Sequence, residues 1–97
     1  MSITVHLDLQ LAPGSVALAP GLLREILADT RAFEGCLSVE VLVDLENPAH
    51  VILSETWESA EVDAAYRAWR AGPGATQLGA LLVAAPVLTA FEIATDI

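Results

Sequence analysis

Hydrophobic periodicity along this 97-residue chain switches from two to about 3.6 and back twice. Ile3, Val5, Leu7, Leu9 and Leu11 alternate with Thr4, His6, Asp8 and Gln10, the pattern of a half-buried strand. Pro13-Gly14 ends it, and Ser15 to Ala19 is ambiguous. A helix is expected from about Pro20, where a missing N–H costs nothing, to Gly35. Its apolar stripe is Leu22, Leu23, Ile26, Leu27 and Thr30, with Arg24, Glu25, Asp29 and Arg31 away from it. Leu37–Leu45 and Val51–Trp57 read as strands joined by the Glu46-Asn47-Pro48-Ala49 turn, hence as an antiparallel hairpin. Ser59 is placed to cap a second helix whose stripe is Val62, Ala65, Tyr66 and Trp69, broken at Gly72-Pro73-Gly74. Further helical turns are expected over Leu78–Ala85 and a last strand over Val87–Ile97.

Strand, helix, strand, strand, helix, strand is the order of a ferredoxin-like split βαβ fold of the α+β class. One domain spans residues 1–97, with a four-stranded antiparallel sheet covered by helices on one face. Several strands also carry Leu or Val on the other face, so a homodimer packed sheet to sheet is expected.

Charge and composition narrow the function. Thirteen acids against four bases give a net charge of −9, which disfavours nucleic acid and anionic membrane surfaces as partners. All four bases are Arg, and without Lys there is no Schiff-base or P-loop chemistry. Cys36 stands alone, and His6 and His50 form no metal-binding spacing, so neither a disulfide nor a metal site is expected. Met1 runs straight into a strand and no apolar run is long enough to span a bilayer, which points to a soluble cytoplasmic protein.

Gly35-Cys36-Leu37-Ser38-Val39-Glu40-Val41 and Glu55-Thr56-Trp57-Glu58-Ser59 resemble the antibiotic biosynthesis monooxygenase (ABM) domain. Pro13-Gly14 after the first strand and the helix Tyr66-Arg67-Ala68-Trp69-Arg70 extend that resemblance over nearly the whole chain. It implies a dimeric α/β barrel with a small pocket between sheet and helices. Family members include cofactor-independent oxygenases of anthrones and quinols. Many carry a His in the second helix where this chain has Tyr66. The haem-degrading branch uses a first-strand Asn and a late-helix His, and neither has a counterpart here.

An electron-rich aromatic can be its own reductant toward oxygen once deprotonated, so no cofactor is expected. The protein then supplies a dry slot, a proton acceptor and donors that stabilise the developing anion. Trp57, Tyr66 and His6 are the candidate catalytic residues, and Trp69, Glu55 and Arg67 the candidate substrate-binding ones. Each has a structural alternative: the aromatics as core, His6 as a barrel-lining or interface group, Glu55 and Glu40 as partners of arginines. His50, beside the turn, is expected in solvent, and Cys36 is read as a small apolar residue. Gly72-Pro73-Gly74 is either a lid or a plain loop. The functional expectation is a cofactor-independent monooxygenase of a small aromatic with molecular oxygen. The alternatives are a dimeric module binding a small apolar ligand without turnover, or a stress-related assembly domain.

Overall fold

Alternation in the strands and amphipathicity in the helices are realised as β1 (Ile3–Gln10), α1 (Ala19–Ala32), β2 (Cys36–Val43), β3 (His50–Trp57), α2 (Ala60–Arg70) and β4 (Val87–Glu92). Single 3-10 turns occupy Pro13–Ser15 and Leu78–Leu81. The computed structural model describes all 97 residues. Its sheet runs β2-β3-β1-β4 with every neighbour antiparallel, the ferredoxin-like α+β arrangement. No helix is long and apolar enough to cross a membrane.

Register decides which side chains face the helices. Val5 pairs with Glu55, Leu7 with Leu53, Leu9 with Val51 and Ile3 with Trp57, and β2 adds Val39 opposite Glu55. These positions share the helix-covered face. A larger core forms where Leu23, Ile26 and Leu27 of α1 meet Leu9, Val39, Val51 and Leu53. A smaller one joins Val5, Trp57 and Tyr66. Leu9, Leu27 and Leu53 are almost wholly buried, and each such side chain contributes about 1.5–3 kcal/mol by leaving water.

Two junctions fix how the helices leave the sheet. Gly35, between α1 and β2, has φ of +95°, and a Cβ there would lie 2.5 Å from Val62 Cγ1 of α2. It is therefore glycine both for its left-handed backbone and for the close approach of α2. The Ser59 side chain accepts from Val62 N–H at 3.2 Å, capping α2 as the sequence led us to expect.

The structure departs from the sequence reading in four places. The last strand stops at Glu92 rather than Ile97, because Glu92 pairs with Ile3, the first residue of β1, and no strand continues beyond it. Leu78–Ala85 makes one 3-10 turn only. Its chain is drawn out of helix by a bridge between Leu82 and Leu11 and by Val83 N–H donating to Gln10 O at 2.9 Å. Ala65 is exposed, since the inward face of α2 carries Val62, Tyr66 and Trp69, with Arg67 reaching Glu55 of β3 beside them. His50 is not a solvent residue of the turn. It opens β3 with its side chain 27% exposed, one ring nitrogen against Asp44 (2.9 Å) and the other against Asp8 (3.0 Å).

The second face of the sheet has no cover. It presents Leu42, Val87 and Phe91, all well exposed, among His6, Asp8, Glu40 and the His50 pair.

Candidate functional site

Five of the six candidate side chains meet beneath α2. Trp57 and Tyr66 stack at a tilt with ring centroids 4.7 Å apart, Trp69 lies 6.1 Å from Tyr66, and Phe33 closes the group edge-on to Trp57 and Tyr66. Glu55, with only 2% of its side chain exposed, accepts from Trp57 Nε1 at 3.2 Å and from Arg67 Nη2. Arg67 also donates to Asp63 Oδ1 at 3.1 Å and lies over the Tyr66 ring. A carboxylate this deep is tolerated only because both its charge and its lone pairs are met.

Tyr66 is equally engaged. Its hydroxyl lies 2.6 Å from Thr30 Oγ1 and accepts from Arg70 Nε at 2.7 Å. Arg70 reaches on to Ile26 O (2.8 Å), Thr30 Oγ1 (2.9 Å) and Gly74 O (3.1 Å), tying α2 to α1 and to the loop after α2. Gly74 is pinned against Trp69, where a Cβ would collide with the indole, and its N–H donates to Trp69 O. The Gly72-Pro73-Gly74 segment is thus a docked loop. No buried side-chain nitrogen or oxygen lacks a partner. The aromatic cluster is a filled, satisfied core, and the sequence had pointed to neither Phe33 nor Thr30 as parts of it.

His6 is not brought to this cluster. It pairs across the sheet with Ser54 and Thr89 on the uncovered face, its ring 5.3 Å from Phe91. Cys36 begins β2 half-buried, and burial, reinforced by the Glu55 charge, pushes its thiol above the ordinary range. That keeps it protonated rather than nucleophilic. No group of three or more His, Cys, Asp or Glu side chains is placed to hold a metal ion.

Open space lies instead between α1 and the outer strand β2. A groove of about 460 Å³ is walled by Pro20, Leu23 and Leu27 of α1, by Val41 and Val43 of β2, and by Leu11, Val16 and Val51, with Pro48 at one end. Such a volume is in the range of small-molecule pockets, about 300–1,000 Å³. Its only charged lining residues are Arg24 and Arg31. The sequence offered one signal for it. At about 100° per residue, Arg24 and Arg31 project from the same flank of α1, beside Leu27. The wall itself exists because β2 is an edge strand whose outer half α1 does not fully cover: Val41 and Val43 stay 39% and 55% exposed.

Fold and groove together define a ferredoxin-like α+β domain with an apolar ligand-sized recess between sheet and helix. The sequence profile of the antibiotic biosynthesis monooxygenase family matches residues 2–79, and the chain belongs to that family. A candidate antibiotic biosynthesis monooxygenase from Deinococcus radiodurans is 31% identical, with 100% of this chain and 96% of that one covered and a TM-score of 0.79. A conserved protein from Methanosarcina mazei Go1 shares the fold at TM-score 0.81 and 22% identity, covering 95% of this chain and 92% of that one. An antibiotic biosynthesis monooxygenase of solved structure does so at TM-score 0.79 and 20% identity, with 95% and 98% covered. No curated protein matches the chain.

Proposed function

We propose that this protein is a cofactor-independent monooxygenase that oxidises a small, flat, electron-rich aromatic of the anthrone or quinol type. The observation that carries the reading is an apolar groove of ligand size in a chain of the monooxygenase family. The substrate supplies all the electrons, two in forming the hydroperoxide and two more when that loses water. Its deprotonated carbon passes one to dioxygen, the radical pair recombines to a hydroperoxide, and loss of water leaves the carbonyl. For an anthrone the balance is one ring methylene plus one dioxygen giving one ring carbonyl plus one water.

The groove's part is to bind the ring system, exclude water and favour the anion. Neither carboxylate nor imidazole lines it, so the substrate gives its proton to solvent before binding, enters as the anion, and the peroxide anion regains a proton from solvent at the open rim. Trp57, Tyr66, Glu55 and Arg67 act behind the site by fixing α2, and through Thr30 and Arg70 the position of α1. Two copies would pair through the uncovered sheet faces, burying Leu42, Val87 and Phe91 together with His6. A sedimentation coefficient of a monomer at micromolar concentration would refute that pairing.

Oxygen consumption by metal- and flavin-free protein, measured over a panel of anthrones and hydroquinones, tests the chemistry. Uptake above the uncatalysed rate, abolished in the groove-filling variant Val41→Phe and retained in Tyr66→Phe, is expected. Uptake lost in Tyr66→Phe while Val41→Phe is active would move the site beneath α2. Because no proton acceptor lines the groove, a binding module without turnover is the second reading. Ligand binding with no oxygen uptake across the panel would select it.

A further inference from the structure

The four arginines of this acidic chain divide into two pairs. Arg67 is ion-paired with Glu55 and Asp63, and Arg70 is spent on Tyr66, Thr30 and two carbonyls. Arg24 and Arg31 have no carboxylate partner. These two are also the charged residues of the apolar groove. In a chain with thirteen acids, the two arginines that are neither ion-paired nor fully engaged within the fold border the same recess.

Their geometry suits an anion at the rim. Seven residues separate them, two turns or about 10.5 Å along α1, so they border the groove along its length. Arg31 donates Nη2 to Val39 O of β2 at 3.1 Å, which holds the guanidinium at the sheet edge. One of its five N–H donors is used there, and the others remain for a ligand. The rest of the wall is largely aliphatic, with Leu23, Leu27, Val41 and Val43 among its residues. A neutral ligand would leave the cations unmatched, and an inorganic anion would leave the aliphatic wall wet.

We propose that the groove selects a small organic anion, an apolar body bearing one acidic group, with the acid held by Arg31 and Arg24 adding a second positive charge. The inference deepens the proposed function by naming the charge of the ligand, and it rests on the groove being the ligand site. A phenolate or enolate form of an aromatic substrate meets the description, and so does an aromatic or aliphatic carboxylate.

Isothermal titration without oxygen tests it, with sodium 2-naphthoate, the uncharged isostere 2-naphthamide and sodium decanoate as probes. We expect one naphthoate per chain, bound at least tenfold more tightly than the amide. In Arg31→Gln naphthoate should weaken by about 10–100-fold, the loss of a charge-assisted hydrogen bond, with the amide unchanged. In Arg24→Gln about fivefold is expected. Both side chains are exposed, so the variants keep the fold, which far-UV circular dichroism checks. Decanoate binding more tightly than naphthoate, with the same Arg31 dependence, supports the site and assigns its body to an alkyl chain. Equal binding of acid and amide, or no naphthoate binding at millimolar concentration, overturns the proposal. Because the titration involves no turnover, retained anion selectivity without oxygen uptake refutes the oxygenase alone, whereas uptake without anion selectivity refutes this inference alone.

Discussion

Removing the Arg67 guanidinium should be the most damaging single change on α2. Glu55 sits between Val5 and Val39 across the sheet with 2% of its side chain in water, and Arg67 and Trp57 are its donors. In Arg67→Met the carboxylate keeps one neutral N–H and loses its counter-charge. Breaking a buried pair costs about 3–5 kcal/mol, and since Arg67 is itself 26% exposed we take the lower end, about 3 kcal/mol. For a domain of this length about 3 kcal/mol lowers Tm by roughly 12–24 °C. That is a large share of a stability on the order of 5–15 kcal/mol. The double variant Arg67→Met with Glu55→Gln removes the stranded charge and keeps an acceptor for Trp57, so it should recover at least half of the loss. Urea denaturation of the four proteins in the cycle gives the coupling directly. A loss under about 1 kcal/mol in the single variant, or no recovery in the double one, would show that Glu55 is stabilised by something other than this pair.

Tyr66→Phe deletes a hydroxyl that Thr30 and Arg70 both use, and thermal denaturation should show a loss of about 1–3 kcal/mol, while an unchanged midpoint would mean the two close around the gap. Gly35→Ala combines a left-handed backbone with a clash against Val62; we expect about 2–5 kcal/mol lost, from roughly 1–2 for the backbone and 1–3 for overpacking, and wild-type stability would contradict the junction described. Hydrogen bonds donated to Asp44 and Asp8 raise the His50 pKa above its usual value, and accepting from His50 lowers that of Asp44. The His50 contribution is therefore full below about pH 6.5 and is lost as pH rises through the folded-state pKa, whereas the Asp44 contribution is present above about pH 3.8 and is lost as pH falls through its lowered pKa. Denaturation midpoints of the wild type relative to His50→Gln, taken across the acid to mildly alkaline range, should differ most between about pH 4 and 6.5, and a difference that grows above about pH 8 would reverse the assignment.

The order of elements was legible because periodicity is local. Alternation in Ile3–Gln10 and the stripe Leu23-Ile26-Leu27-Thr30 identify strand and helix without knowledge of what they touch, and Ser59 announces its cap three residues ahead. The residue types of the α2 cluster were legible for the same reason: Trp57 and Tyr66 fall on facing stripes and meet. Whether they meet around a cavity or around each other depends on Phe33, Thr30 and Arg70, which approach from other parts of the chain.

His6 and Trp57 show the limit most plainly. Both are candidate catalytic residues on strands, yet the β1–β3 register sends one to the open face and the other to the core. His50 looked like a turn residue until β1 brought Asp8 beside it, 42 positions away in sequence. The chain alone determined its elements, its acidity and its lack of any lysine chemistry, because each is a property of composition or of near neighbours. Only the tertiary structure decided which arginines remain unpaired and where an apolar wall stays open, because charge pairing and cavity volume arise between segments that the sequence keeps far apart.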